Sequence, residues 1–187
     1  MNSELYRIAA EACSFIGEKN YTNLGTTEFN LTRKIWGNKV IQVLTIAPTN
    51  ELVDWLVNFN LLSWEGIKLG SYRAAKEIRE YIYWDPYYPL VVTGFSKGAA
   101  SAIAFKKMFN ADYCVSFSPP PCLRRWSNRE MENTAIFIDP DDPVSKAGII
   151  SFGHPKCTRF NAKDDHLALS VGDHDMEKWE KFVENMK

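Results

Sequence analysis

The sequence predicts an α/β fold, a mostly parallel central sheet flanked by helices, in one small domain spanning residues 1–187. Three observations carry that expectation. Leu90-Val91-Val92-Thr93 is an apolar, β-branched run that ends in Gly94-Phe95-Ser96-Lys97-Gly98 and passes at once into Ala99, Ala100, Ser101 and Ala102. That order reads as buried strand, sharp turn and helix. Elsewhere, short apolar runs alternate with stretches of helical period, as in chains built from strand–helix–strand units. Finally, 187 residues without an internal repeat, low-complexity tract or linker suit one domain with a substantial core.

Residues 3–16 place Leu5, Ile8, Ala9, Ala12, Phe15 and Ile16 at the 3.6-residue period of an amphipathic helix, stopped by Gly17. This helix is expected to cover one face of the sheet. Phe29, Leu31 and Ile35 alternate with Glu28, Asn30 and Thr32, Gly37-Asn38 turns the chain, and residues 40–46 run back, which predicts a hairpin. Ala47-Pro48-Thr49-Asn50 breaks the strand, after which Leu52, Val53, Trp55, Leu56 and Phe59 recur at helical spacing. Residues 70–82 form a second amphipathic helix with Tyr72, Ala75, Ile78 and Ile82 on one face, and Pro86 and Pro89 lead into the strand at Leu90. The helix after the turn continues through Ile103, Phe105 and Met108.

Residues 112–117 read as a short strand stopped by Pro119-Pro120-Pro121, and residues 122–133 as polar and irregular. Residues 134–139 form the next buried strand, followed by an acidic loop. Residues 149–152 and 157–160 read as edge strands. The last helix starts near Asp175 and sets Met176, Trp179, Phe182 and Val183 on one side.

Gly-x-Ser-x-Gly between a strand and a helix is the pattern of a nucleophile elbow. There a strained turn lifts the serine hydroxyl clear at the top of a sheet. Gly94 and Gly98 leave room for strand and helix to approach where a Cβ would collide. A serine hydroxyl is a weak nucleophile, so Ser96 needs a base within hydrogen-bond reach and an acid to orient that base. In this architecture the order along the chain is serine, acid, histidine. The loop after the 134–139 strand offers Asp139, Asp141 and Asp142 as acids. All three histidines follow Ser96: His174 just ahead of the last helix leads as base, His166 is the runner-up, and His154 reads as a turn residue.

Bulk properties narrow the alternatives. Lys and Arg total 22 against 23 Asp and Glu, a net charge of −1, which gives no electrostatic case for nucleic acid or an anionic membrane surface. Residues 1–7 lack the basic-then-apolar pattern of a signal peptide, and no apolar run reaches membrane-span length. Cys13, Cys114, Cys122 and Cys157 form no Cys-x-x-Cys pair, so neither a disulfide scaffold nor a zinc site is expected; Cys13 and Cys114 fall in apolar elements as small core residues. A reducing, cytoplasmic setting follows as an expectation.

These residues resemble the class 3 lipases, the fungal-lipase-like branch of the α/β-hydrolases, from about Val40 onward. Ile46-Ala47-Pro48-Thr49, with Asp54-Trp55 shortly after, is similar to the family's strand ending in Phe-Arg-Gly-Thr/Ser with Asp-Trp or Asn-Trp following. Ile67-Lys68-Leu69-Gly70-Ser71-Tyr72 resembles its Val-His-x-Gly-Phe segment, and the elbow resembles Thr-Gly-His-Ser-Leu-Gly-Gly-Ala. Ile138-Asp139-Pro140-Asp141-Asp142-Pro143-Val144 is similar to its Asn-x-x-Asp-x-Val acid loop, and Asp173-His174-Asp175-Met176 to its His-Ser-Met/Leu segment.

The resemblance implies Ser96 as nucleophile, His174 as base and Asp142 as acid, with the backbone N–H groups of Thr49 and Lys97 meeting the oxyanion and no metal or organic cofactor required. It implies a small-molecule or lipid ester as substrate and places the family's lid on residues 50–61. Three departures surround the elbow: Phe95 stands for the family's histidine, Lys97 for leucine and Ala99 for the second glycine. Ala47-Pro48 stands for Arg-Gly. The substitutions leave two other readings open, an inactive α/β-hydrolase acting as a binding or structural module, and thioester or acyl-transfer chemistry on the same three residues. Lys97 further suggests an anionic group on the substrate.

Overall fold

The computed structural model describes residues 2–14, 21–24, 27–47, 62–127, 129–146, 151–161 and 176–186. In chain order its elements are α1 (Ser3–Ser14), β1 (Thr22–Asn23), β2 (Glu28–Trp36), β3 (Lys39–Ile46), β4 (Ser63–Trp64), β5 (Ile67–Lys68) and α2 (Leu69–Tyr81). They continue with β6 (Leu90–Phe95), α3 (Lys97–Phe109), β7 (Tyr113–Phe117), β8 (Leu123–Arg124), a 3-10 turn (Arg125–Ser127) and β9 (Glu130–Ile138). The last are α4 (Pro143–Lys146), β10 (Phe152–Gly153), β11 (Lys156–Asn161) and α5 (Met176–Glu184).

Seven strands form the main sheet in the order β1-β2-β3-β6-β7-β9-β11. β1, β2 and β3 pair antiparallel, whereas β3, β6, β7, β9 and β11 are successive parallel neighbours. The apolar runs are continuous because both faces are covered. On one face Leu44, Ile46, Leu90, Val92, Cys114 and Ile136 pack with Ala75 and Ile78 of α2 and Ala100, Ile103 and Phe105 of α3. On the other, Ile41, Val43, Val91, Val115, Phe117 and Phe137 pack with Leu5 and Ile8 of α1 and Trp179 and Val183 of α5. The predicted α/β architecture is therefore the observed one. Cys13 and Cys114 are core residues as expected, and burial pushes each thiol up to about 12.

α2 and α3 run along one face in the same direction. The Gln42 side-chain amide, near the start of β3, donates to Asp85 O and Tyr88 O at 2.8 and 3.0 Å and accepts from the Asp85 N–H at 2.8 Å. These bonds fix the chain leaving α2 at the edge where the parallel strands begin, so α2 itself begins at the opposite edge. β6 delivers Ser96 to that same opposite edge, and α3 starts there.

Several expectations are corrected. The hairpin keeps the expected register, from Phe29 opposite Ile46 to Ile35 opposite Val40. Ile35, however, is 71% exposed and Val40 39%, because the tip projects past the helices that cover the rest of the sheet. The stretch read as irregular, 122–133, contains β8, the 3-10 turn and the start of β9. β8 builds a small four-stranded antiparallel sheet in the order β10-β8-β5-β4. The turn between β4 and β5 anchors it: Gly66, at φ 76°, accepts from the Arg124 N–H at 2.7 Å and the Ser127 hydroxyl at 2.8 Å. Of the two expected edge strands, β11 closes the main sheet, whereas Phe152 and Gly153 belong to the small one. Phe15 to Gly17, the helical stretch 50–59 and Ile149-Ile150 lie outside the described residues.

Candidate active site

Ser96 occupies the turn between β6 and α3 with φ 55° and ψ −125°, a conformation that residues with a Cβ rarely adopt. Its N–H donates to Phe117 O at 2.9 Å, which clamps the turn over the end of β7. The flanking glycines are required by contact. A Cβ on Gly94 would lie 2.5 Å from the Gly98 carbonyl carbon, and one on Gly98 only 2.1 Å from Ile46 O. The helix thus starts hard against both its own strand and the end of β3. Although Ser96 stands at the N-cap of α3, its side chain makes no capping hydrogen bond, and the residue is buried. The strained backbone aims the hydroxyl elsewhere than at its own helix.

Lys97 is the first residue of α3, half-buried, and its backbone N–H belongs to the first turn of the helix, where such donors point out of the helix end, a position suited to meeting an oxyanion. The expected second donor, Thr49, lies two residues beyond Ala47 and outside the described residues, as do Pro48 and the 50–61 lid segment. What the structure describes is the approach to that position: Ile46 pairs with Gly94 and abuts Gly98.

The three candidate acids separate cleanly. Asp141 is exposed. Asp139 is buried, but its Oδ2 is ion-paired with Lys178 of α5 and its Oδ1 accepts from the Asp141 N–H at 2.8 Å. Asp142 is fully buried, and its Oδ1 accepts from the Val144 N–H at 2.8 Å. Ser145 knits the loop by donating to Asp139 O at 2.9 Å and Asp142 O at 2.8 Å. Asp139 therefore serves as a strut that holds the first turn of α5. A second strut lies beside it, where the Trp179 indole N–H donates to the Ser118 hydroxyl at 2.9 Å just past β7. Sequence reasoning missed both struts, and the available signal was a buried tryptophan whose N–H had to find an acceptor.

His174 and His166 lie outside the described residues. His154, read as a turn residue, does fall in the link between β10 and β11, but it is 8% exposed. Its Nε2 donates to Ser145 O at 3.0 Å while Nδ1 has no partner, so the ring is a neutral tie to α4. Burial holds its pKa down at about 4, outweighing the Ser145 bond. Between the ordinary histidine value near pH 6.5 and about pH 4, the unfolded chain takes up a proton that the folded chain refuses. The contribution of His154 is intact above that window and is lost as the pH falls through it, by about 3 kcal/mol in all. Urea unfolding at pH 7 and pH 4.5 should therefore show a smaller acid loss for His154→Leu than for the native chain; equal losses would place the acid sensitivity elsewhere.

Among the described residues no group of three His, Cys, Asp or Glu side chains gathers to hold a metal ion. A groove of about 560 Å³ lies at the far end of α3 beside Lys106, Lys107, Asn110 and Arg129. The groove flanks the last turn of α3, a helix of thirteen residues whose first turn carries the elbow, so the elbow geometry and not the groove locates the candidate site.

No protein-family model and no curated protein sequence matches this chain. Solved structures do. The nonglycosylated LIP2 lipase of Yarrowia lipolytica superposes with a TM-score of 0.56 at 14% identity, covering 90% of this chain and 81% of the lipase. A second structure of Lip2 lipase from the same organism gives 0.58 at 12% identity, over 83% and 77%. A deletion mutant of Rhizomucor miehei lipase in complex with its propeptide gives 0.55 at 13% identity, over 87% and 66%. At these identities the likeness establishes a shared fold, that of the fungal lipases within the α/β-hydrolases.

Proposed function

We propose that this chain, on its fungal-lipase fold, is a serine hydrolase that cleaves carboxylic esters through an acyl-enzyme. The observation that carries the reading is the backbone of Ser96, held at φ 55° between two glycines that no other residue can replace. Such strain persists only where the surroundings enforce it, and it belongs to sites where a side chain must be presented. Ser96 Oγ attacks the ester carbonyl carbon while His174 accepts the hydroxyl proton and Asp142 orients and stabilises the imidazolium. The oxyanion is met by the N–H groups of Thr49 and Lys97. Collapse expels the alcohol, which takes the proton from His174. Water, activated by the same imidazole, then releases the acid and regenerates the hydroxyl. The substrate class is a small-molecule or lipid ester. From the four scattered cysteines, which form no Cys-x-x-Cys pair, we propose a reducing, cytoplasmic setting.

A neutral alkyl fluorophosphonate tests the reading. It is expected to label the native chain on the peptide containing Ser96, and 4-nitrophenyl esters of graded acyl length should be turned over. Absence of both labelling and turnover would overturn the proposal in favour of a binding module. The acid assignment has its own test. Asp142→Asn should lower kcat/KM on 4-nitrophenyl butyrate by about a thousandfold, since the imidazole loses its orienting partner. Asp139→Asn should act mainly on the urea midpoint, because it removes the strut to Lys178. The reverse ranking would move the acid to Asp139.

A further inference from the structure

β2 lies one strand in from the end of the main sheet, yet its neighbour covers only its beginning. β1 has two residues, and Thr22 and Asn23 pair with Phe29 and Glu28 alone. From Leu31 to Ile35, among the described residues, no strand lies on the side of β2 away from β3. The hydrogen-bond phase of that side is fixed at its start. The Ala47 N–H donates to Glu28 O at 2.9 Å across the hairpin, and the Leu24 N–H donates to Thr27 O at 2.9 Å on the β1 side. These directions alternate along a strand, so Asn30, Thr32 and Lys34 turn their main chain toward β3, while Leu31, Arg33 and Ile35 turn theirs outward. The N–H and C=O groups of those three residues form one open row. Their side chains share the face of the sheet where Leu31 packs against the core under α2 and α3. Arg33 is ion-paired with Asp85 at 3.7 Å, and its guanidinium lies 5.1 Å from the Tyr88 ring centre, whereas Ile35 is exposed.

An open row of this kind is a template for another strand, and a charge on it discourages pairing. Here the charge on the row is answered within the chain, by Asp85. The row is also symmetric about Arg33. Turned end for end, it sets Leu31 against Ile35, Arg33 against Arg33 and Ile35 against Leu31. We propose that two copies of this chain associate edge to edge through β2, antiparallel about a two-fold axis at Arg33, which joins their main sheets into one. Each of the three residue pairs exchanges two main-chain hydrogen bonds. The exposed Ile35 gains Leu31 of the second copy as a cross-strand neighbour, and the two Arg33–Asp85 pairs meet at the axis with no net charge. An arbitrary extended segment would meet the main-chain groups, but a second copy also brings the apolar partner and the carboxylate. The contact is the same patch on both copies, so it closes as a dimer.

Sedimentation velocity of the native chain from about 1 to 500 μM should show its mass rising from one chain toward two. Two substitutions at one exposed position test the edge. Ile35→Lys adds a second cation to each row, and Ile35→Pro removes an outward N–H that the hairpin does not use. Each should weaken association about tenfold or more. Ile35→Lys should leave the urea midpoint at about 1 μM unchanged, which separates lost association from lost folding. Nuclear magnetic resonance at about 500 μM reads the pairing by residue. The Leu31 and Arg33 amides should exchange with heavy water slowly in the native chain and about tenfold faster in Ile35→Lys, while Thr32 and Lys34 stay slow in both. A native chain that remains monomeric throughout would overturn the proposal, as would a dimer whose Leu31 and Arg33 amides exchange fast. Slow exchange of those two amides in a monomer would overturn it too, by showing that another segment of the chain covers the edge. None of these readouts involves Ser96, so the hydrolase reading is tested separately.

Discussion

Ser96→Gly is expected to lower kcat/KM on 4-nitrophenyl butyrate by on the order of 10⁴-fold or more while raising stability by about 1 kcal/mol. The two effects have one cause. At φ 55° and ψ −125° the serine Cβ is strained, at a cost of roughly 1–3 kcal/mol, and glycine adopts the same angles without it. Against that gain stands the greater backbone freedom of glycine in the unfolded chain, roughly 0.5–1 kcal/mol. Loss of the hydroxyl removes the nucleophile altogether, so any residual rate reflects binding and oxyanion contacts alone. Urea titration and ester kinetics on the same preparation check both halves. A variant that loses activity and is also less stable would mean that the turn is not strained in solution.

Gly98→Ala should be the most damaging single methyl in the described structure. Its Cβ would sit 2.1 Å from Ile46 O and 2.9 Å from the carbonyl carbons of Ile46 and Ala47, all main-chain atoms of a central strand. Flexible side chains can turn aside, but β3 is locked between β2 and β6 and cannot. The helix must then lift off the sheet, opening the contacts of Ala100 and Ile103 with the core. A loss of about 4 kcal/mol is expected, with fluorophosphonate labelling abolished because the first turn of α3 no longer faces the serine. An unchanged urea midpoint would show that the chain meets this turn in some other way.

The elbow was readable in the sequence because its constraints are local. Gly94, Ser96 and Gly98 lie within five residues, Gly94 is demanded by a clash with Gly98 inside the turn, and Gly98 by a clash with the end of β3. The parallel sheet was readable for a related reason, since strands buried on both faces show as unbroken runs such as Leu90-Val91-Val92. The small second sheet was not, because β4, β5, β8 and β10 have two residues each and so carry no period. The 71% exposure of Ile35 could not be read, since alternation tells which side a residue points to but not where cover ends. Asp139, Asp141 and Asp142 were indistinguishable by type and spacing. Only Lys178, 39 positions from Asp139 in sequence, tells the strut from the remaining acids. His154 does fall in a link between strands, as its Gly-His-Pro context suggested, but nothing in that context told that its ring is buried against Ser145.

The packing of α1 against α5 bears on how the chain is made. Leu5, Ile8 and Cys13 share one cluster with Trp179 and Val183, and the Ser14 hydroxyl bonds Glu180 across the two helices. α1 is translated well before the helix lying beside it, so its greasy side waits on the order of ten seconds for a permanent neighbour. Until then the nascent protein offers chaperones a ready handhold. The hairpin and the elbow can form during that wait, and the docking of α5 on α1 follows them.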